Sequence, residues 1–300
     1  MAALNAARVL AIGDLLYDVL AELDGPPNPG TDTFAPVHAQ PGGSGANAAA
    51  WLAHAGVETC FVARVGDDPL GRMLEEELGE LGVATHLTRD AELPTGKVVV
   101  LVDGAGGRTM ITSRGAGENL RPEDLPGHAF HPYTHLHLSG YLFSEGARKE
   151  TAIEALRRAR RSRMTVSIDP SSTTLLTDLG PQRFLEWTRG ADLLFPNHEE
   201  GALLAGTKDL DGILEALLDH YPRVVLKLGP EGVTYAAQDG ARVSTPAAPA
   251  RAKDTTGAGD ALCAGFLAAW LRNETPDAAS KKGADLAARA VERVGGRPRA

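Results

Sequence analysis

Asp254-Thr255-Thr256-Gly257-Ala258-Gly259-Asp260 sets a turn almost bare of side chains directly before an apolar run that opens on a carboxylate. Leu262, Phe266, Leu267, Trp270 and Leu271 recur at helical spacing with alanine and glycine between them, so the sequence predicts a buried helix over Asp260 to Leu271. Gly257 and Gly259 let backbone N–H groups converge on one point. The free N–H groups and the dipole of the following helix favour negative charge there, and a phosphate suits such a place. Asp260 then has two readings. It is an ordinary first-turn carboxylate that stabilises the helix, or it is a base placed to take a proton from a hydroxyl that attacks the bound phosphate.

A second glycine cluster, Gly42-Gly43-Ser44-Gly45-Ala46-Asn47, precedes the helical run Ala48 to Ala55 and the strand-like Thr59 to Ala63. Two glycine-rich helix starts suggest two ligands. Gly43-x-Gly45-x-x-Ala48, with Asp67 farther on, also matches a dinucleotide fingerprint. That fingerprint needs a buried strand before its first glycine, whereas Thr33 to Pro41 is mixed in polarity and closes on a proline. No Gly-x-x-x-x-Gly-Lys-Ser/Thr run occurs, so the chain has no P-loop.

Strand-like runs at Val9–Ile12, Cys60–Val65, Leu136–Ser139, Thr165–Asp169, Asp192–Phe195 and Val224–Leu228 alternate with helical stretches at Leu70–Leu81, Arg148–Arg163 and Leu210–His220. The alternation predicts an α/β fold, a doubly wound and mainly parallel sheet flanked by helices. Segments of about 15–40 and 95–115 break the rhythm. Lys97–Val102 and Arg108–Thr112 alternate in polarity like paired strands, which predicts a small added β-sheet within one domain over residues 1–300.

Composition limits the partners. With 300 residues, 43% of them hydrophobic, the chain can bury a large core, and a net charge of -9 argues against general binding to nucleic acid or an anionic membrane. The two cysteines, Cys60 and Cys263, sit in apolar runs and read as buried thiols, in keeping with a reducing cytoplasm. Val9 to Leu20 is interrupted by Asp14 and Asp18, which suits neither a signal peptide nor a membrane span. Arg157-Arg158-Ala159-Arg160-Arg161 reads as a solvated helix face. His128, His131, His135 and His137 lack a cysteine or acid at metal-ligand spacing and read as structural.

The two glycine clusters, together with Gly13-Asp14-Leu15-Leu16-Tyr17-Asp18, Arg64–Gly71, Phe195–Glu200 and Lys227–Gly232, resemble in order and spacing the ribokinase-like (PfkB) kinase family. The resemblance runs through nearly the whole chain. It implies a ribokinase-like fold with a β-sheet lid that often makes a homodimer contact. It also implies ATP as donor with Mg²⁺, and a hydroxyl of a small sugar or sugar acid as acceptor. By resemblance Asp260 is the base, and the N–H groups of Gly257, Ala258 and Gly259 stabilise the transferred phosphoryl group. Asn197 and Glu200 act on Mg²⁺ through water. Lys227, Gly229 and Gly232 lie around the nucleotide. Asp18, Gly42, Gly43 and Asn47 hold acceptor hydroxyls. Asp14 either joins them or caps a turn, and Arg108 or Arg114 reaches an acceptor anion or is merely a surface residue. Asp254, Thr256, Ala290 and Gly295 correspond to a monovalent-cation (K⁺) site found in many members, with Arg299 where a small polar ligand is expected.

Two other functional classes stay open beside a sugar kinase. A nucleoside kinase of adenosine, cytidine or pseudouridine type shares the fold, but stacking a base calls for aromatic side chains. The small-sheet segments offer only Tyr17 and Phe34, with Tyr141 nearby. A non-catalytic or dinucleotide-binding protein would not need Asp260 behind intact glycines.

Overall fold

The computed structural model describes residues 7–104, 107–127, 130, 133–144 and 146–299. Its strands are β1 (Arg8–Ile12), β2 (Leu16–Glu22), β3 (Val37–Gly42), β4 (Glu58–Gly66), β5 (Ala84–Asp90), β6 (Thr95–Val102), β7 (Arg108–Gly115), β8 (His135–Ser139), β9 (Thr165–Asp169), β10 (Leu193–Leu194), β11 (Arg223–Lys227), β12 (Val233–Ala237) and β13 (Arg242–Thr245). The helices are α1 (Ser44–His54), α2 (Pro69–Glu80), α3 (Ala147–Arg161), α4 (Thr173–Leu179), α5 (Pro181–Trp187), α6 (His198–Ala205), α7 (Leu210–Leu218), α8 (Ala258–Trp270) and α9 (Pro276–Val291).

The main sheet runs in the order β13-β12-β11-β10-β9-β8-β1-β4-β5 and is parallel from β11 to β5. The strand order reverses beside β1, where the chain winds outward to β4 on one side and later returns through β8 on the other. Ligands of such sheets bind at the carboxyl ends of the strands around that reversal. Val9 to Ile12 are buried, as a strand covered by helices on both faces requires.

The sheet is mainly parallel, as expected, with one antiparallel edge. Strands β11, β12 and β13 pair antiparallel because the turns at Gly229–Glu231 and Gln238–Ala241 are too short for a crossover helix. Strand β10 is shorter than Asp192–Phe195 would suggest, since Pro196 follows at once and brings no N–H to the ladder. Cys60 and Cys263 are free and buried. His135 and His137 are buried on β8 and hydrogen-bond to Thr165 and Ser167, so they are structural; His128 and His131 lie outside the described residues.

The segments that break the α/β rhythm form a separate four-stranded sheet in the order β3-β2-β6-β7. Its alternation has two consequences. Leu16, Leu20, Val98 and Val100 pack together on the inward face, while Val37, Val99 and Ile111 stand exposed on the other. Strand β3 takes in the second half of the stretch whose mixed polarity argued against a dinucleotide fingerprint, Val37 to Pro41, and it belongs to the small sheet.

Helix α1 starts at Ser44, inside its glycine cluster, and packs its first turn on the chain leaving β1. A Cβ at Gly45 would lie 2.6 Å from the Gly13 Cα, so only glycine allows that approach. Gly45→Ala is expected to cost about 1–3 kcal/mol in urea unfolding, the range for overpacking. Gly79→Ala on α2, where a Cβ meets nothing within 4 Å, is expected to be neutral or stabilising.

Candidate active site

A cavity of about 360 Å³ opens where the carboxyl ends of the main-sheet strands face the small sheet. Asp14 lies just beyond β1, Tyr141 just beyond β8, Asp169 at the end of β9, Asn197 after β10 and Lys227 at the end of β11, and all five line it. The floor is the 254–260 loop with the start of α8. The roof is the inward face of the small sheet, through Leu16, Asp18, Val98, Val100 and Met110. The glycine cluster of α1 contributes Gly43, Ser44 and Asn47.

Asp260 sits in the first turn of α8 but does not cap it, since the N-cap is Gly257, in the left-handed region at φ 74°. A side chain at Gly257 would also strike the backbone of Gly296, 2.3 Å from its carbonyl oxygen. Both oxygens of Asp260 turn instead to α1. Ser44 Oγ donates to Oδ1 at 2.8 Å and Asn47 Nδ2 donates to Oδ2 at 3.1 Å. Burial pushes the carboxyl up to about 7 and the charge of Asp169 adds to it, while the two donors and Lys227 work the other way. A half-buried carboxylate that titrates near neutrality beside a helix N-terminus is suited to accept a proton from an alcohol at physiological pH.

Beside it, Lys227 Nζ donates to Asp169 Oδ2 at 2.7 Å, and the Cys263 thiol donates to the same oxygen at 3.3 Å. Burial works to lower the Lys227 pKa, but Asp169, Cys263 and Glu200 outweigh it, so the ammonium stays charged. A Cβ at Gly259 would come within 3.3 Å of that ammonium, which places the cation against the glycine loop. Glu200 and Asn197 form a capping box at the start of α6, with Asn197 Oδ1 accepting from the Glu200 N–H at 2.8 Å and Glu200 Oε2 accepting from the Asn197 N–H at 2.9 Å. Burial lifts Glu200 to about 7.

On the small-sheet side, Asp18 lies against Gly42, where a Cβ would be 2.3 Å from its Oδ2, and burial raises Asp18 to about 6. Asp14 is gripped by arginines. Arg148 Nη2 donates to Oδ1 at 2.6 Å and Arg114 Nε to Oδ2 at 3.3 Å, so Asp14 is an anchor for cations rather than a turn cap. Arg114 also lies over the Tyr141 ring, 4.9 Å from its centroid. Arg108 crosses from β7 to the glycine loop and bonds to Thr256 Oγ1 and Asp254 Oδ1. The other Asp254 oxygen accepts from the Gly295 N–H at 3.0 Å. The carbonyl of Ala290 already accepts from the Arg293 N–H at 3.1 Å.

The fold therefore brings Asp14, Asp18, Gly43, Asn47, Arg108, Asn197, Glu200, Lys227, Thr256, Gly257, Gly259 and Asp260 to one cavity. Gly229 and Gly232 are not among its lining residues. Gly232 is needed where it stands because its φ is 104° and a Cβ would lie 2.1 Å from the Thr245 carbonyl oxygen. Asp169 and Arg297 lie outside the motifs and Ser44 lies inside the first glycine cluster with no role read for it, yet all three join the constellation. Asp169-Pro170 had one usable signal, an acid closing a buried strand; Gly295-Gly296 before Arg297 had another, two glycines where a chain must pass close.

The raised pKa of Asp260 means that its charge opposes folding, by a penalty that grows as pH rises from the ordinary carboxylate value toward about 7. Asp260→Asn is therefore expected to be more stable than the parent at pH 8, and the gain is expected to vanish below about pH 4. At ~1.4 kcal/mol per pKa unit the gain has a ceiling of roughly 4 kcal/mol, read from urea unfolding across pH.

The pfkB family carbohydrate kinase profile matches residues 6–299. A fructokinase of Klebsiella pneumoniae is 32% identical over 288 residues, 93% of this chain and 90% of that protein. An ATP-dependent ribose-1-phosphate kinase of Halopiger xanaduensis is 33% identical over 270 residues, 88% of this chain and 85% of that protein. Among solved structures, an adenosine kinase from Sinorhizobium meliloti superposes with a TM-score of 0.89 at 27% identity, covering 98% of this chain and 96% of that one. The Arabidopsis thaliana ribokinase complexed with ribose and ATP superposes with a TM-score of 0.82 at 25% identity, covering 97% and 94%. With a family profile spanning almost the whole chain and a ribokinase-like fold, the protein belongs to the pfkB family of carbohydrate kinases and is a sugar or nucleoside kinase.

Proposed function

We propose that the protein transfers the terminal phosphoryl group of ATP to a hydroxyl of a small sugar or sugar acid. The observation that carries this reading is Asp260, half-buried, titrating near neutrality and held by two donors on the wall of a polar cavity beside a glycine loop. Asp260 removes the proton from the acceptor hydroxyl as that oxygen attacks. The N–H groups of Gly257, Ala258 and Gly259 meet the charge that develops on the transferred group, and Lys227 adds a cation against the same loop. Asp18, Gly42, Gly43 and Asn47 orient the acceptor, and the small sheet acts as a lid that excludes water. The nucleotide lies on the Lys227 side, with Asn197, Gly229 and Gly232 around it.

No group of three or more His, Cys, Asp or Glu side chains among the described residues could hold a metal ion. Mg²⁺ is commonly held by one or two carboxylates, water and the nucleotide's own phosphates, and Glu200 with Asn197 offers oxygen donors on the cavity wall. When bound it would neutralise charge on the phosphates. A K⁺ ion at Asp254, Thr256, Ala290 and Gly295 would share a carboxylate that Arg108 already neutralises, so exchange of K⁺ for choline is expected to change turnover less than twofold.

The nucleoside reading has in its favour the likeness to an adenosine kinase and, in the cavity itself, Tyr141 on the wall. Arg114 already covers a face of that ring, and Phe34 stands 94% exposed and does not line the cavity, so a sugar fits the walls better. We further propose a cytoplasmic homodimer through the exposed Val37, Val99 and Ile111 face of the lid; a monomeric mass in sedimentation velocity would remove that part.

ADP release from ATP and Mg²⁺ across sugars, sugar acids, sugar phosphates and nucleosides tests the function. Asp260→Asn is expected to lower kcat by about 10²–10⁴ while keeping ATP binding, and EDTA to abolish turnover without lowering the melting temperature. Near-normal turnover in Asp260→Asn would remove the base assignment, and activity confined to nucleosides would select the other acceptor class.

A further inference from the structure

Beyond α9 the chain turns back, and Gly295-Gly296-Arg297 passes between α1 and the 254–260 loop. Gly296 makes the passage possible, since a Cβ there would lie 2.5 Å from Asn47 Nδ2, and its carbonyl accepts from Trp51 Nε1 at 2.9 Å. Arg297 follows with its guanidinium buried, only 5% of the side chain exposed. All three of its nitrogens are engaged. Nη1 pairs with Glu77 on α2, Nη2 donates to the Gly42 carbonyl at 2.7 Å, and Nε donates to Asn47 Oδ1 at 3.1 Å.

The last contact has a consequence for Asp260. The Asn47 amide has one acceptor and one donor end, and it stands between a guanidinium and a carboxylate. With Oδ1 committed to Arg297, Nδ2 is the end that meets Asp260 Oδ2. The flipped amide would put its oxygen against the carboxylate and its NH₂ against the guanidinium, two like-sign contacts in a buried site. We propose that Arg297 is a positioning residue for the reaction: it locks the Asn47 amide so that a hydrogen-bond donor always faces Asp260. The proposal rests on Asp260 as the base.

Asp260 is also faced by Ser44 from α1, Asp169 from β9 and Lys227 from β11, while Arg297 feels Glu77 and Asp18 as well. Replacing Arg297 frees the amide and removes a nearby cation. Both changes push the Asp260 titration upward, so a shift alone does not prove the route through Asn47. The decisive feature is non-additivity with Asn47.

The test reads the Asp260 titration without any acceptor, as the pH at which the difference in urea-unfolding free energy between a protein and its Asp260→Asn version changes. The backgrounds are parent, Asn47→Ala, Arg297→Gln and Arg297→Gln with Asn47→Ala. The expected result is an upward shift of at least half a pH unit in each single variant, with the double variant shifted no more than the larger single. An unshifted Arg297→Gln, or a double variant that shows the sum of both shifts, would overturn the proposal. If Arg297→Gln does not fold, Arg297→Lys replaces it. Its ammonium keeps a charge opposite Glu77 but cannot span Gly42 and Asn47 together, so it is expected to shift the midpoint too, and an unchanged midpoint overturns the proposal equally. Near-normal turnover of Asp260→Asn removes the base assignment alone, because the titration result does not depend on activity.

Discussion

The contact on which the rest of the molecule depends is the partial burial of Asp260 where the first turns of α1 and α8 meet, with Ser44 and Asn47 reaching across to its two oxygens. A carboxylate taken from water is costly unless donors and charges surround it. Here the cost is met in part, which leaves its pKa near neutrality. The two helix starts must therefore approach closely and stay in register. Glycines do this: Gly45 against Gly13 seats α1 on β1, Gly257 against Gly296 seats the loop before α8, and Gly265 against Gly283 lets α8 lie on α9, where a Cβ would come within 2.5 Å of the Lys282 carbonyl oxygen.

Around that carboxylate the charges alternate. Asp169 is paired with Lys227, Asp14 with Arg148 and Arg114, Asp254 with Arg108, and Glu77 with Arg297. Asp260, Glu200 and Asp18 face the cavity without a paired cation of their own among the described ion pairs, and these are the three carboxyls whose pKa burial lifts most clearly in the cavity wall. On the proposed reading, a chain with a net charge of -9 receives a phosphate here because local backbone N–H groups and Lys227, not the overall charge, set the potential.

The small sheet is tied to the main one through side chains as well as backbone. Arg108 is the clearest link, since it leaves β7 and ends on Thr256 and Asp254 of the glycine loop. On the proposed reading, opening the lid would break this ion pair and free Asp254. Closing it would restore a rigid loop at the moment when the phosphoryl group is transferred. No helix among the described residues is long and apolar enough to cross a membrane.

The local pattern of the chain was enough for the fold class, for strands such as Thr165–Asp169, for the small sheet, and for the helix behind Asp260, because buried strands and helices impose periods of two and 3.6 on neighbouring residues. The glycine clusters also revealed the two loops, since close backbone approach admits few other residues. Local pattern did not reveal the antiparallel edge of β12 and β13, whose pairing follows from turn length, nor the partners of Asp260. Arg297 lies 250 residues from Asn47, and Lys227 lies 58 from Asp169. Such meetings arise when distant segments share one desolvated volume. Desolvation and the charges collected there set the titration of Asp260 near 7, a property of the assembled fold that no stretch of sequence carries alone.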